Sequence, residues 1–344
     1  MSAGTPERPP EPIFHQPWWL DAVAPGSWDA ATVERGGRTV ATLPFVVRGP
    51  RWFRVLTQPP LTPFLGPWIS HEEGAKYATA LGDQMELQAL LEAQLPTATA
   101  FHQNFSSSVL SCLPFIWAGY RAEVRYTYLL QDLGSEEALW NGLAGNIRRE
   151  IRKARRRLEV REATDVDRFY DVWAKTFERQ GAAAPDRARL ERIDAACAAR
   201  GARVMLFACD EAEQVHAVAY VVWDRHTAYY LMGGGDPSLR NSGASSLLLW
   251  DAIRRARTAS QVFDFEGSML RPVERFFRAF GGRQTPYLHV SRATHAGGAA
   301  LAVRAGAQSV GRRRGEWVRG SGISGLVGPD VTRHVSQLFS RTRG

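Results

Sequence analysis

Apolar residues in the second half of the chain recur at helical spacing. Val166, Phe169, Val172, Trp173 and Phe177 share one face of a helix expected over 166–180, and a further helix is expected over 187–200. Three apolar runs, Val204–Cys209, Val215–Trp223 and Thr227–Met232, are separated by short polar turns and read as antiparallel strands. A glycine break follows, then a helix over 245–259, a strand over 261–266, a short helix over 274–280 and a last strand over 285–290. The first half reads in the same way. Pro17-Trp-Trp-Leu20 opens a short helix or anchor, and a hairpin turns at Gly36-Gly37. A proline-rich stretch over 58–68 forbids regular structure there. A helix over 72–94 follows, with strands over 98–105 and 125–130. A helix over 136–158 leads into the second half.

Helices, then a meander of strands, then a Gly/Pro-rich break, then more helix and strand: this order occurs twice. It predicts a duplicated α/β (α+β) unit, in which each lobe is a mostly antiparallel mixed sheet flanked by helices. The expected organisation is a disordered leader over 1–12, an N-terminal lobe over 13–130, a C-terminal lobe over 131–294, and a basic Gly/Arg-rich tail over 295–344. The length of 344 residues agrees with two domains at roughly 150 residues each.

Composition removes several function classes. The apolar share is 44% and the charged share 23%, as in ordinary folded proteins and unlike a disordered chain or a coiled coil. Three cysteines far apart build neither a disulfide framework nor a metal knuckle, and the eight histidines show no zinc-ligand spacing. No metal and no tightly bound cofactor is therefore expected, and the cytoplasm is the expected compartment. The N-terminus reads as no signal peptide, and Val109–Gly119 is too short to cross a bilayer, so no stable membrane insertion is expected. The net charge of +8 favours polyanionic partners.

Four stretches can carry chemistry. The glycine break Gly233–Ser245 precedes a helix, whose N-terminal N–H groups attract anions. Gly234, Gly235, Arg240, Gly243 and Ser245, the last near the N-cap, are its candidate anion-binding residues. In Val262–Met269, Asp264 and Glu266 share a strand face at its C-terminal end, where open α/β sheets form ligand crevices. Close like charges raise one pKa and yield a base for an attacking amine; the bland alternative is pairing with Arg254 or Arg271. Ser268 follows directly. On the short helix after it, Arg271, Arg275 and Arg278 fall on one face, suited to a phosphate or a developing oxyanion, while Phe276, Phe277 and Phe280 face a core. Finally, eight basic residues lie between Arg148 and Arg161. Ile151, Ala154 and Leu158 supply a packing stripe, and Arg148, Arg149, Arg152, Lys153, Arg155 and Arg156 form a cationic ridge suited to a phosphate backbone.

These pieces resemble known families. The strand, glycine loop and Arg-x-x-Gly-x-Ser order is similar to the pyrophosphate loop of Gcn5-related N-acetyltransferases (GNAT); Arg240 and Gly243 fit that pattern and Ser245 departs from it. Phe14–Leu20, Leu61–Trp68, Ile147–Ala154, Leu248–Ile253 and Phe263–Ser268 with Phe277–Gly282 resemble the FemAB/FemX-like proteins and their BioF2-like acetyltransferase relatives. The resemblance implies two tandem GNAT-like lobes and an acyltransferase that forms an amide on an acceptor amine. It implies aminoacyl-tRNA as co-substrate, with a peptidoglycan precursor or a small natural-product amine as acceptor. It places Arg275 or Arg278 where the family often has lysine. On this expectation Glu266 or Asp264 takes the proton. An acyl-CoA-dependent N-acyltransferase is the alternative, and a non-catalytic RNA- or polyanion-binding module is a third reading.

Overall fold

The computed structural model describes residues 11–70, 74–179, 181–267 and 269–294. Along the chain the elements are α1 (Pro17–Val23), β1 (Trp28–Arg35), β2 (Arg38–Arg48), β3 (Val55–Thr57), β4 (Trp68–Ile69), α2 (Tyr77–Ala93), β5 (Ala100–Asn104), α3 (Leu113–Trp117) and β6 (Arg121–Leu130). They continue with α4 (Glu136–Gly142), α5 (Gly145–Ala154), β7 (Glu159–Glu162), α6 (Val166–Arg179), α7 (Arg187–Ala198), β8 (Arg203–Cys209), β9 (Val215–Trp223) and β10 (Thr227–Gly235). A 3-10 turn over Pro237–Ser242 leads to α8 (Ala244–Ala256), β11 (Val262–Asp264), α9 (Arg271–Arg278) and β12 (Arg283–Ala293). Each region is mixed α/β with mostly antiparallel pairing and flanking helices, as the sequence predicts.

The described chain separates into two compact units. One comprises residues up to Arg125 together with those from Tyr287, and the other Tyr126–Pro286. In the first, β1, β2 and β3 pair antiparallel in order, β3 runs parallel to β5, and β5 pairs antiparallel with the end of β12; β4 pairs with β2. Its core gathers Leu43, Phe45, Phe101, Phe105, Phe115 and Val290 beneath α2 and α3. In the second unit the order is β6-β11-β10-β9-β8-β7, antiparallel throughout except for the parallel pair β10 and β11. Trp250, Ile253, Phe263, Phe265 and Phe277 centre its core.

Several expectations are corrected. Gly233–Gly235 belong to β10 and are no loop, because α6 lies against them: a Cβ on Gly234 would stand 2.7 Å from Thr176 Oγ1 and 3.1 Å from Trp173 Cα. The single helix expected over 136–158 is two. It breaks at Leu143–Ala144, where the Ala144 N–H donates to Ala279 O at 2.9 Å instead of continuing a helix. The strand expected over 261–266 ends at Asp264. Leu113–Trp117 forms a helix despite Pro114, which sits in the first turn where its missing N–H costs nothing. Of the expected leader, residues 1–10 lie outside the described residues, as does the tail from His295.

Candidate active site

β10 and β11 run parallel for only three residue pairs, Thr227–Tyr229 against Val262–Asp264. Beyond them β10 continues to Gly235, whereas the chain after β11 turns to β6, with the Phe265 N–H donating to Tyr128 O at 3.1 Å. The two strands therefore splay at their C-terminal ends, and Asp264 and Glu266 sit at the fork. Such forks in open α/β sheets are where ligands enter.

Local sequence sets this geometry. Glu266 and Gly267 both adopt positive φ, +60° and +58°. The tight turn brings Gly267 onto β6, where a Cβ would stand 2.2 Å from Tyr126 O. A non-glycine residue in this region is strained, and strain of this kind concentrates at functional sites. Asp264 pins the turn. Its Oδ1 accepts the Glu266 N–H at 2.7 Å and the Thr127 hydroxyl from β6. Both carboxyl groups are buried, Asp264 at 3% exposure and Glu266 at 5%.

Burial pushes the Asp264 carboxyl up to about 7, against the lowering effect of its two donors. The cause is desolvation rather than the pairing of like charges expected from the sequence. Burial and then the Glu266 charge push the Tyr230 phenol upward, so Tyr230 lies within reach of that carboxylate's charge. Its ring lies 6.1 Å from that of Phe277. Arg254, one of the partners weighed for these acids, instead binds Glu136 and Asp251. The raised carboxyl predicts a pH signature. In the unfolded chain Asp264 titrates near about 4. A raised folded-state value contributes stability below about pH 4, lost as pH rises through about 7. Asp264→Asn should flatten the pH dependence of the denaturant midpoint over that window, read by chemical unfolding at several pH values.

The helix α9 carries the three arginines as expected, and all three are exposed; Val273 and Phe277 take the buried face. Arg278 is bound by Glu274 at 2.7 Å, and Glu274 also accepts the Tyr128 hydroxyl at 2.7 Å. The arginines thus stand on the solvent side of the helix whose inner face, through Val273 and Phe277, packs into the core. Ser268 lies outside the described residues.

At the start of α8 the N-cap is Gly243, with φ +79°, and Ser245 is exposed one position further in than expected. The first turn is occupied by the chain itself. Ser246 donates to Glu150 Oε2 at 2.9 Å, and a Cβ on Gly243 would meet Glu150 Cγ at 3.0 Å and Ala154 Cβ at 3.2 Å. The Glu150 carboxylate lies beside this first turn through the Ser246 hydroxyl, and its negative charge there opposes a second anion. Gly234 and Gly235 serve packing here, and a Cβ on Gly235 would stand 3.2 Å from His216 O. Arg240 is exposed on the 3-10 turn. Upstream, Asp236 caps that turn and is bound by Lys175 at 2.6 Å, which holds its carboxyl down at about 2.

The ridge is formed as predicted on α5 and the turn after it. Ile147, Ile151, Ala154 and Leu158 are buried, while Arg149, Arg152, Lys153, Arg155, Arg156 and Arg157 are exposed and Arg148 is half-buried. Among the described residues these seven cations have no carboxylate partner, in contrast to Arg161, which binds Glu159 and Glu213 at 2.7 Å each. Arg152 and Arg155 stand 5.5 and 5.8 Å from the Trp140 ring. Sequence reasoning missed Tyr230, Thr127, Trp140 and the Glu150–Ser246 contact. Each depends on a partner far along the chain, and only the lone tryptophan ahead of a basic helix left a local signal. No group of three or more metal-ligating side chains occurs among the described residues.

Residues 143–278 match the Acetyltransferase (GNAT) domain family. No curated protein matches the sequence. Among solved structures, FemX superposes with a TM-score of 0.60 at 13% identity, covering 82% of this chain and 93% of FemX. The C-terminal domain of a putative lysylphosphatidylglycerol synthetase from Agrobacterium fabrum gives 0.50 at 16% identity, covering 84% and 92%. A conserved protein of unknown function from Bacteroides thetaiotaomicron gives 0.50 at 10% identity, covering 80% and 88%. At such identities the likeness is one of fold. Residues 143–278 are thus similar to an acetyltransferase (GNAT) domain, within a chain whose fold resembles that of FemX.

Proposed function

We propose that the protein moves an aminoacyl group from aminoacyl-tRNA to an acceptor amine, on a cell-wall precursor or a small natural-product molecule. The observation that carries this reading is the ridge: seven cations without carboxylate partners among the described residues, beside a helix N-terminus whose first turn already holds Glu150. Exposed cations that lack acidic partners favour an extended phosphate backbone, whereas a compact diphosphate would compete with Glu150 for the start of α8. Arg148, Arg149, Arg152, Lys153, Arg155 and Arg156 are the tRNA-binding residues on this account.

The transfer assigns one role to each part of the fork. The acceptor nitrogen attacks the ester carbonyl carbon of the donor, and the ester C–O bond to the terminal ribose breaks. Asp264, poised near neutrality by burial, or Glu266 beside it, takes the proton from the attacking nitrogen. That proton goes on to the departing ribose oxygen, leaving an amide and a free tRNA end. Arg275, and Arg278 on release from Glu274, supply positive charge on the outer side of α9. The burial of both carboxyl groups favours the neutral amine as nucleophile.

The GNAT domain match, together with Arg240 and Gly243 in their expected order, favours a second reading with acyl-CoA as donor. The two separate in one assay. With charged total tRNA and a pool of amines, prior ribonuclease treatment should abolish product formation. Transfer from acyl-CoA that survives ribonuclease would overturn the tRNA reading. Tight RNA binding with no transfer, unaffected by Glu266→Gln, would support a non-catalytic binding module. No described helix is long and apolar enough to cross a membrane. Since aminoacyl-tRNA is found in the cytoplasm, we place the reaction there.

A further inference from the structure

Strand register gathers several segments at one end of the first unit's sheet. Arg48 pairs with Val55, Val55 with Ala100, and Ala100 with Ala293, so the close of β2, the openings of β3 and β5 and the close of β12 lie together. The loop 49–54 before β3 therefore lies at this end. So does the close of α3, since Arg292 donates to Ala118 O at 3.2 Å. Arg121 follows three residues later, within about 11 Å of chain.

Two large aromatic side chains are exposed at this end, Trp52 at 65% and Trp117 at 68%. Leu113 and Ile116 are exposed on α3 beside Trp117, whereas Pro114 and Phe115 are buried and fix the helix to the sheet. From Ala93 to Tyr120 the sequence has no Asp, Glu, Lys or Arg. Around the apolar patch stand Arg48, Arg51, Arg54, Arg121 and Arg292, with Glu92 bound to Arg292.

We propose that this end of the first unit docks on the surface of a lipid bilayer containing anionic lipid. Tryptophan favours the bilayer interface, aliphatic side chains enter the acyl boundary, and arginines meet anionic headgroups. Leu113 and Ile116 gain nothing from a nucleic acid, which argues against RNA as the occupant. The exposed apolar area, roughly 400–500 Å² from four partly exposed side chains, falls short of the about 800 Å² per partner of a stable dimer. The surface is independent of the transfer chemistry assigned above, and vesicle binding reads it without any donor or acceptor.

The test is cosedimentation of the full chain with vesicles of phosphatidylcholine alone and of phosphatidylcholine with phosphatidylglycerol. The wild type should bind the anionic vesicles, more weakly as salt rises. The double variant Trp52→Ser/Trp117→Ser should lose about 10-fold or more in partitioning with an unchanged thermal melt, and Trp117→Tyr should retain most of the binding. A wild type that stays in the supernatant, or a double variant that sediments equally well, would overturn the proposal. So would a variant that only converts a dimer to a monomer, or one that loses RNA retardation while keeping vesicle binding.

Discussion

Replacing Arg152, Lys153 and Arg156 together by alanine is expected to weaken tRNA binding roughly 30- to 100-fold near 0.15 M salt, and to lower the slope of log affinity against log salt by about 2 to 3. The three side chains lie on one exposed ridge, and Ile147, Ile151 and Ala154 hold the helix from its other face. Their removal takes away charge without opening the core, so the melting temperature should barely move. Filter binding across a salt series gives both quantities. A matched change at Arg254, Arg255 and Arg257, which are already engaged by Glu136, Asp251 and Glu162, should leave the slope nearly unchanged because those charges are internally neutralised. An equal loss from both triplets would mean that bulk charge, not the ridge, does the binding.

Gly267→Ala should be the most damaging single substitution at the fork. The residue has φ +58°, and an added Cβ would stand 2.2 Å from Tyr126 O and 2.5 Å from Thr127 Cα. Neither neighbour is the end of a flexible side chain, so the turn must move away from β6. That movement breaks the Thr127–Asp264–Glu266 arrangement. We expect a destabilisation of about 3 kcal/mol or more, combining strained backbone with a steric clash. Gly145→Ala, at a helical position with nothing within 4 Å, should be neutral or slightly stabilising. Thermal unfolding of the two variants beside the wild type decides it, and equal melting temperatures would contradict the geometry of the fork.

Much of the architecture was legible because it rests on periodicity. The face Phe169, Val172, Trp173 and Phe177 predicted α6, and the runs of β8 and β9 predicted their hairpin. Where the pattern misled, a distant partner decided the outcome. Gly233–Gly235 read as a breaker, yet glycine in a strand often marks a close approach, here the backbone of α6 at Trp173. The helix over 136–158 read as continuous until Ala279, far downstream, claimed the Ala144 N–H. Short β3 and β4, of 3 and 2 residues, carry too little pattern to stand out from the proline-rich stretch beside them.

At the candidate site the acids were legible and their surroundings were not. Alternation in Val262–Glu266 pointed to Asp264 and Glu266 together at a strand's end. The strand stops earlier, and what brings the two acids together is a turn of two positive φ values. Desolvation, a property of the folded interior, raises Asp264, and no pair of nearby residue types reveals it. The exposed ridge was legible as charge. Its lack of acidic partners required the fold, since most carboxylates near it in sequence, such as Glu150 and Glu159, are drawn to Ser246 and Arg161.

The activated donor is the point on which transfer from tRNA and transfer from acyl-CoA part. Mass spectrometry of an amine pool incubated with the protein, in parallel with charged tRNA and with acyl-CoA, measures it directly. Transfer from aminoacyl-tRNA predicts aminoacyl adducts on an amine in the tRNA reaction alone, diminished by the ridge triple variant. An acyl adduct formed only from acyl-CoA, and insensitive to that variant, would contradict it.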